Sequence, residues 1–500
     1  MIDLLNNLLL GFGVALTPMN LLYCLVGVSL GTLIGVLPGI GPITTIAMLL
    51  PATFKLPPVS ALIMLAGIYY GAQYGGSTTS ILVNLPGESS SVVTCLDGYA
   101  MARQGRAGPA LAIAALGSLF AGCVGTLLIA LFGPPLAEFA LQFGPSEYFS
   151  LMVLGLVSAV VLAHGSILKA IAMVFLGLLL GLVGTDVISG IRRFNFGIAE
   201  LSDGIGFVVV ATGLFGFPEI ITNLETKERR EVFSSQVRGL LPTRDDLKAS
   251  YGAVLRGTAV GSLLGLVPGS GPVIASFASY TVEKRLAKDP SRFGKGAIEG
   301  VAGPESANNA AAQTTFIPLL TLGIPGSATM ALMLGAMMIH GIPPGPQVMS
   351  RYPELFWGMV ASMWLGNLML VVLNLPLIGI WIRLLTVPYR FLYPAILLLC
   401  CVGVYSLSNK TLDVVLTAAF GLLGYIFAKL DCEPAPLLLG FVLGPMLEEN
   451  LRRAMLLSRG DPSIFFTRPI SLAFMLAAAL MLLAVILPAV LRKREEAFQD

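Results

Sequence analysis

The chain has 500 residues, of which 56% are hydrophobic and only 12% charged, and its mean hydropathy is +0.85. A soluble protein carries about a quarter of its residues as Asp, Glu, Lys or Arg, so this chain belongs in a bilayer, and disorder, a collagen-like chain and a secreted disulfide scaffold are excluded. Thirty basic and 28 acidic residues leave a formal charge of +2, which offers no field to nucleic acid, so the few charges matter by position.

At about 20 residues per crossing, the apolar content predicts an all-α polytopic membrane protein of roughly ten to twelve transmembrane helices. The N-terminus, Met1-Ile-Asp-Leu-Leu-Asn-Asn-Leu8, lacks the basic region of a cleaved signal, so insertion by the chain's own helices is expected. The first stretch free of charges, 4–54, is too long for one helix and needs two passes, or one pass and a re-entrant hairpin. It contains Pro38-Gly39-Ile40-Gly41-Pro42. A polar hairpin at 73–97 follows, rich in hydroxyls and amides, with Asn84-Leu85-Pro86-Gly87-Glu88 at its centre. The segment 219–256, with seven basic and six acidic residues, divides the chain. The expected organisation is a first half over 1–218, a polar linker over 219–256, a second half over 257–450 and a C-terminal segment over 451–500 with the last helix and a tail. By the positive-inside rule the linker, the cluster Lys284, Arg285, Lys288, Arg292 and Lys295, and the C-terminal Arg492-Lys493-Arg494 lie in the cytoplasm. If both ends of 257–282 are cytoplasmic, that stretch must enter and return, turning at Pro268-Gly269-Ser270-Gly271-Pro272.

The halves repeat. Gly31 to Pro42 matches Gly261 to Pro272 at a constant offset of 230, with seven of twelve positions identical, and Asn84-Leu-Pro-Gly87 is answered by Gly323-Ile-Pro-Gly326 in a second polar hairpin, 303–329. Basic and non-basic loops swap between the copies, as expected of inverted repeats, each with Gly/Pro-broken helices and a re-entrant hairpin. Paired interruptions of this kind point to a secondary transporter with its site at mid-membrane. Half-helix N-termini attract an anion, and unwound carbonyls coordinate Na⁺, so the expected ligand is a carboxylate with a coupling cation. The substrate-binding candidates are Ser77, Thr78, Thr79, Asn84, Gly87, Ser89, Ser90, Asn308, Asn309, Thr314, Gly326 and Ser327. Those for the coupling ion are Pro38, Gly39, Gly41, Pro268, Gly269, Gly271, Glu88 and Glu305, since carboxylates inside a membrane are costly and tend to be functional. Scattered Ser and Thr in membrane helices ordinarily pack or bond between helices, and the interest of these lies in their clustering beside Pro-Gly breaks.

Gly35-Val-Leu-Pro-Gly-Ile-Gly-Pro42, Tyr70-Gly-Ala-Gln-Tyr-Gly-Gly-Ser-Thr-Thr-Ser80, Asp97-Gly-Tyr-Ala-Met-Ala-Arg-Gln-Gly-Arg-Ala-Gly108 and Gly303-Pro-Glu-Ser-Ala-Asn-Asn-Ala310, leading to Leu322-Gly-Ile-Pro-Gly326, together resemble the large membrane subunit of the tripartite tricarboxylate transporter family over roughly residues 20–450. The resemblance implies a permease of the bacterial inner membrane. It would work with a small membrane subunit of about four helices and a periplasmic substrate-binding protein, importing citrate or other organic carboxylates on a Na⁺ or H⁺ gradient. Similarity to analogous binding-protein-dependent transporters implies an elevator-like motion of the repeat core against a scaffold. No cofactor beyond the coupling Na⁺ or H⁺, and no metal other than Na⁺, is expected.

Two alternatives are weaker. An enzyme needs a nucleophile, base or metal constellation, but the only histidines are His164 and His340, and the six cysteines form no CxxC. The permease of an ATP-driven importer does not predict mirrored PGxGP breaks, and the chain has no GxxxxGK[ST] loop of its own.

Overall fold

The computed structural model describes residues 2–37, 41–163, 166–186, 189–225, 239–267, 271–384 and 392–497. Helices dominate, and the one sheet among the described residues is a two-residue antiparallel ladder, Gly184–Thr185 with Arg192–Arg193. Proline sets many of the starts: helices begin at Pro18, Pro42, Pro58, Pro145, Pro353, Pro434 and Pro469, where its missing N–H is no loss and its fixed φ suits the first turn. Pro18–Val36, Ala107–Ala140, Pro353–Asn374 and Thr411–Lys429 are long and apolar enough to cross a membrane, and shorter apolar helices such as Pro42–Thr53, Pro145–Val161 and Ala328–Ile339 accompany them.

The stretch 4–54 resolves into three helices, Ile2–Ala15, Pro18–Val36 and Pro42–Thr53. A helix, Arg244–Leu266, begins inside the segment expected as a polar linker. The cause is local: Thr243 caps that helix and accepts from the Asp246 N–H, while Asp246 accepts from the Thr243 N–H, a capping box that lets a polar first turn precede an apolar body. The front of the same segment is also helical, as Phe217–Glu225; residues 226–238 of the linker lie outside the described ones.

Glycine determines how each half packs. Gly27, Gly31 and Gly35 abut Met64, Ile68 and Ala72 of the helix Pro58–Val83, and a Cβ on Gly31 would stand 2.9 Å from the Gly71 Cα. The contacts advance together, so Pro18–Val36 and Pro58–Val83 run in parallel, and Pro42–Thr53 between them returns. Gly257, Gly261 and Gly265, 230 positions on, abut Gly303, Ala307 and Ala311 of Glu299–Thr314 in the same way, and Gly271–Leu286 is the returning arm, with Ser279 and Glu283 against Gly303. Backbones at this separation tolerate only small residues, which in membranes is how helices gain dispersion contact.

Ala107–Ala140 lies along Glu299–Thr314 in the same direction, with Gly117 near Ala302 and Gly125 near Ala310. It opposes Pro353–Asn374, where Gly122 meets Asn367 and Gly133 meets Phe356. Pro353–Asn374 in turn runs with Pro58–Val83, through Gly358 beside Val59 and Gly366 beside Tyr70. Pro58–Val83 and Glu299–Thr314 therefore run in opposite directions. A further group, Pro145–Leu162, Ile167–Gly181 and Pro434–Leu457, is joined through Gly177 against Leu437 and Gly440 against Val174, and Ser150 reaches Ser471 at 2.7 Å.

Candidate functional site

In each half one helix ends in a left-handed residue just before a Pro-Gly pair. Pro58–Val83 is closed by Asn84 at φ 59°, and Phe316–Leu322, which continues Glu299–Thr314, by Gly323 at φ 74°. These are the two residue types that enter that region most cheaply. A Pro-Gly pair follows in each, and then an extended residue that caps the next short helix: Glu88 (φ −149°, ψ 166°) before Ser89–Ser91, and Ser327 (φ −158°, ψ 169°) before Ala328–Ile339. The Ser327 hydroxyl accepts from the Met330 N–H at 3.3 Å. Equivalent positions thus hold a carboxylate in one half and a hydroxyl in the other.

The first break folds back beside its own helix. Gly87 rests against Gly35 and Gly76, Ser90 Oγ donates to Gln73 Oε1 at 2.7 Å, and Ser80 Oγ donates to Ser91 Oγ at 2.9 Å. Residues 87–90 therefore come to the level of the interruption after Val36, where Leu37 leaves the helix extended. In the second half Val267 does the same.

These interruptions surround one cavity of about 720 Å³. Gly41-Pro42 and Gly271-Pro272 line it together with Pro86-Gly87-Glu88 and Pro325-Gly326-Ser327, and Tyr69, Gln73, Ser89, Ser90 and Thr329 add polar groups. Four helices of eight residues or more start on its wall, at Pro42, Gly271, Ala328 and Pro434. Each presents unbonded N–H groups and the positive end of its dipole. Among the described residues the lining includes Glu88, Glu219 and Glu433 but no Lys, Arg or His. Such a wall can hold an anion by its helix ends, provided a cation or proton offsets the Glu88 carboxylate.

A second polar cluster lies beside the cavity. Glu305, fully buried, accepts from Ser77 Oγ at 2.5 Å, from Thr94 Oγ1 and from Asn308 Nδ2 at 3.2 Å. Asn309 Nδ2 donates to Asn308 Oδ1 at 2.6 Å and to Ser118 Oγ at 2.8 Å. Ser77 Oγ also lies 2.9 Å from the Gln73 carbonyl oxygen, so the cluster and the cavity meet through one turn of Pro58–Val83. No ion pair of the described residues includes Glu305.

The residues singled out by sequence thus divide. Gly41, Gly87, Glu88, Ser89, Ser90, Gly271, Gly326 and Ser327 line the cavity, while Ser77, Asn308, Asn309 and Glu305 form the buried cluster. Thr78 borders a small pocket next to Ser77. Thr79 bonds the Val36 carbonyl at 2.8 Å, and Thr314 that of Ala310 at 3.0 Å, both helix-packing contacts in this structure. Asn84 is exposed at its cap and is not among the cavity's lining. Pro38, Gly39, Pro268, Gly269 and His164 lie outside the described residues. Among the described residues no group of three or more His, Cys, Asp or Glu is placed to hold a metal ion.

Sequence reasoning missed Tyr69, Glu219 and Glu433-Pro434 as lining residues; for the last, a proline after the short polar run Asp431-Cys432-Glu433 was the available signal of a helix start. It also missed Asp97. That buried carboxylate accepts from the backbone N–H of Gly294, Gly296 and Ala297 at 2.8–2.9 Å and from Tyr280 Oη at 3.0 Å, tying the segment after the first break to the loop that opens Glu299–Thr314.

Comparison with known proteins adds three relatives and one family. The sequence profile of the tripartite tricarboxylate transporter TctA family matches residues 21–439. An uncharacterized 52.8 kDa protein from the TAR-I ttuC′ 3′ region of Agrobacterium vitis is 59% identical over 500 residues, the full length of both chains. An uncharacterized protein from the TAR-II ttuC′ 3′ region of the same organism is 58% identical over 240 residues, 48% of this chain and 99% of that one. An uncharacterized protein of Methanocaldococcus jannaschii is 26% identical over 214 residues, 42% of this chain and 49% of its own length. No solved structure matches the chain.

Proposed function

The chain belongs to the tripartite tricarboxylate transporter TctA family, and on that premise we propose that it is the permease of a secondary transporter that imports organic carboxylates, citrate or other di- and tricarboxylates, on a Na⁺ or H⁺ gradient. It is a multi-pass membrane protein of a transporter family, not an enzyme. The observation that carries the substrate reading is the cavity on which four helix N-termini open, with no Lys or Arg among the described residues of its wall. Backbone dipoles select an anion there, and the neighbouring hydroxyls of Ser89, Ser90, Ser327 and Thr329 suit carboxylate oxygens.

We read the two halves as inverted repeats. The same parallel glycine packing recurs at an offset of 230, while Pro58–Val83 and Glu299–Thr314 run oppositely, which is what inversion requires. On this reading the cavity lies between the repeats, Gly87, Ser89, Ser90, Gly326 and Ser327 contact substrate, and Glu88, Glu305 and the backbone at Gly41 and Gly271 serve the coupling cation. The proposal further takes from the family a bacterial inner-membrane location, a small membrane partner of about four helices and a periplasmic binding protein, from the positive-inside rule a cytoplasmic polar segment 219–256 and C-terminus, and from analogous binding-protein-dependent transporters an elevator-like movement of the repeat core.

The test is uptake of labelled di- and tricarboxylates into vesicles carrying the chain with its small partner and binding protein, under imposed Na⁺ and pH gradients and without ATP. Gradient-driven accumulation of one acid is the expected result. A folded complex with a loaded binding protein that accumulates nothing under any gradient would overturn the reading.

A further inference from the structure

We propose that Glu305 is the group that carries the coupling proton, and that the Ser77 hydroxyl serves it in both of its protonation states. The inference rests on the transporter reading above and, of the two cations named there, assigns the proton and its place.

A reversible proton site must satisfy its carboxyl group with the proton on and with it off. Ser77 Oγ lies 2.5 Å from Glu305 Oε2 and 2.9 Å from the Gln73 carbonyl oxygen, and it has one hydrogen to give. With Glu305 ionised that hydrogen goes to Oε2, and Thr94 Oγ1 and Asn308 Nδ2 donate to the same carboxylate. With Oε2 protonated the acid donates to Ser77 Oγ, which turns its hydrogen to the Gln73 carbonyl, while Oε1 still accepts from Thr94. Only hydrogens need move between the two states.

The surroundings leave the charge to a proton. Glu305 is fully buried on Glu299–Thr314. Pro58–Val83 brings Tyr74 near it, and the segment after the first break brings Glu88 and Cys95, none of them a cation. Ala107–Ala140 contributes Ser118, with Cys123 beside Tyr74. Toward the start of its own helix, Gly300 meets Asp97 and Tyr280, and Gly303 meets Glu283. Asp97 is held by backbone N–H groups, and Glu283 is matched by Arg256 of Arg244–Leu266. The other bases of the two neighbouring helices, Arg244, Lys248, Lys284 and Arg285, are exposed. A buried carboxylate left without a cation is costly, and protonation removes that cost without needing room. A metal ion does need room, and the small pocket beside Ser77 is walled by Leu111, Ala114 and Ala115 as well as by hydroxyls, a lining poor in ligands.

The placement also supplies coupling. Thr94 holds Oε1 from the segment that continues Glu88 and Ser90 of the cavity wall, and Ser77 stands one turn from Gln73, whose Oε1 accepts from Ser90 at 2.7 Å. An anion seated against Ser89 and Ser90 adds negative charge close to Glu305 and favours its neutral form, and by reciprocity the proton favours the anion. One proton, taken from water on the loading side, bonded to Oε2 and returned to water on the unloading side as the acid leaves, closes the cycle.

The first test is an infrared difference titration of the purified full chain in lipid nanodiscs, in choline salts without Na⁺. The wild type is expected to show the carbonyl stretch of a protonated carboxyl group that Glu305→Gln lacks, and Thr94→Val, which strips Oε1 of its donor, should move that band to higher frequency. Should Thr94→Val not fold, the Glu305→Gln spectrum decides. The second test is transport of labelled citrate, malate and succinate into vesicles carrying the chain with its small partner and binding protein. An inside-alkaline pH gradient should drive accumulation without Na⁺. Glu305→Gln, whose amide reproduces the protonated arrangement, should lose accumulation and keep counterflow, the exchange of labelled outside acid for unlabelled inside acid, which moves no net proton. A spectrum from which Glu305→Gln removes no band, a band that a folded Thr94→Val leaves unmoved, or wild-type accumulation that follows Na⁺ and ignores pH overturns the proposal. So does a folded Glu305→Gln chain that loses counterflow along with accumulation, or one that still accumulates. A wild-type chain that shows the band but moves none of the acids keeps the proton site and overturns the transporter reading.

Discussion

Gly87→Ala is the substitution for which the structure makes the sharpest statement. A Cβ at Gly87 would stand 2.6 Å from the Gly76 Cα and closer still to the Gly35 carbonyl oxygen. Both neighbours are backbone, and no flexible side chain can swing away. Ordinary carbon contacts lie near 3.5–4.0 Å, so the break must retreat by about 1 Å. Overpacking of this kind costs roughly 1–3 kcal/mol. The functional cost should exceed it, because the same retreat stretches the Ser90 to Gln73 bond, now 2.7 Å, past hydrogen-bonding distance, and displacements of about 1 Å in a binding wall can cost on the order of a hundredfold in rate. The assay is initial uptake rate normalised to membrane abundance, with the unfolding midpoint measured in parallel. The expected result is near-normal insertion, a midpoint lowered by a few degrees and uptake reduced at least tenfold. Gly13→Ala is the control: a Cβ there meets nothing within 4 Å, and stability should hold or rise slightly. Wild-type uptake and midpoint in Gly87→Ala would refute the reasoning that backbone contact between Gly35, Gly76 and Gly87 sets the break.

Asp97→Ala removes the acceptor of three backbone N–H groups and of Tyr280; at about 1 kcal/mol net per bond, a loss of about 4 kcal/mol is expected in denaturant unfolding, with Asp97→Asn in between. Ser327→Ala deletes the cap of Ala328–Ile339 and should cost about 1 kcal/mol while weakening substrate affinity, and Ser327→Thr should restore both, as read by uptake kinetics. Glu305→Gln should abolish gradient-driven accumulation with the chain still folded, since the amide keeps the shape of the side chain but not its charge; unchanged accumulation would exclude Glu305 from coupling. For the bidentate pair Arg256–Glu283, with bonds of 2.8 and 2.6 Å, Arg256→Met should destabilise more than Glu283→Gln. The Glu283 side chain is 2% exposed and Arg256 44%, so only the carboxylate is left stranded away from water.

Much of the architecture was legible because backbone contact constrains sequence directly. The offset of 230 that relates the PGxGP segments also relates Gly27, Gly31 and Gly35 to Gly257, Gly261 and Gly265, and a position that touches another main chain admits little but glycine. The breaks were legible for the same reason, through Asn84 and Gly323 at positive φ. Side-chain roles were less so. Glu88 and Glu305 look alike in the sequence, each beside a polar run, yet Glu88 caps a turn on the cavity and has Ser327 as its counterpart, while Glu305 is sealed among hydroxyls. Thr79 and Thr314 resemble Ser77 in context, but Ser77 also meets the Glu305 carboxylate, whereas the other two hydroxyls bond helix carbonyls, a choice decided by χ1 and by the facing helix. The tie made by Asp97 was invisible because its backbone partners lie about 200 residues away.

On the proposed transport reading, the want of Lys and Arg among the described residues of the cavity wall bears on release as much as on capture. A guanidinium on a long flexible stem follows a carboxylate wherever the backbone goes, so its hold barely depends on conformation. The four helix ends at Pro42, Gly271, Ala328 and Pro434 have no such reach: their pull on an anion fades within one turn, and it sums to a strong site only while all four converge. Affinity in such a cavity is a reading of shape. Spreading the ends by a few ångströms lets the cargo go without breaking a salt bridge, and a carrier that must empty itself on every cycle is better served by that than by a tighter grip.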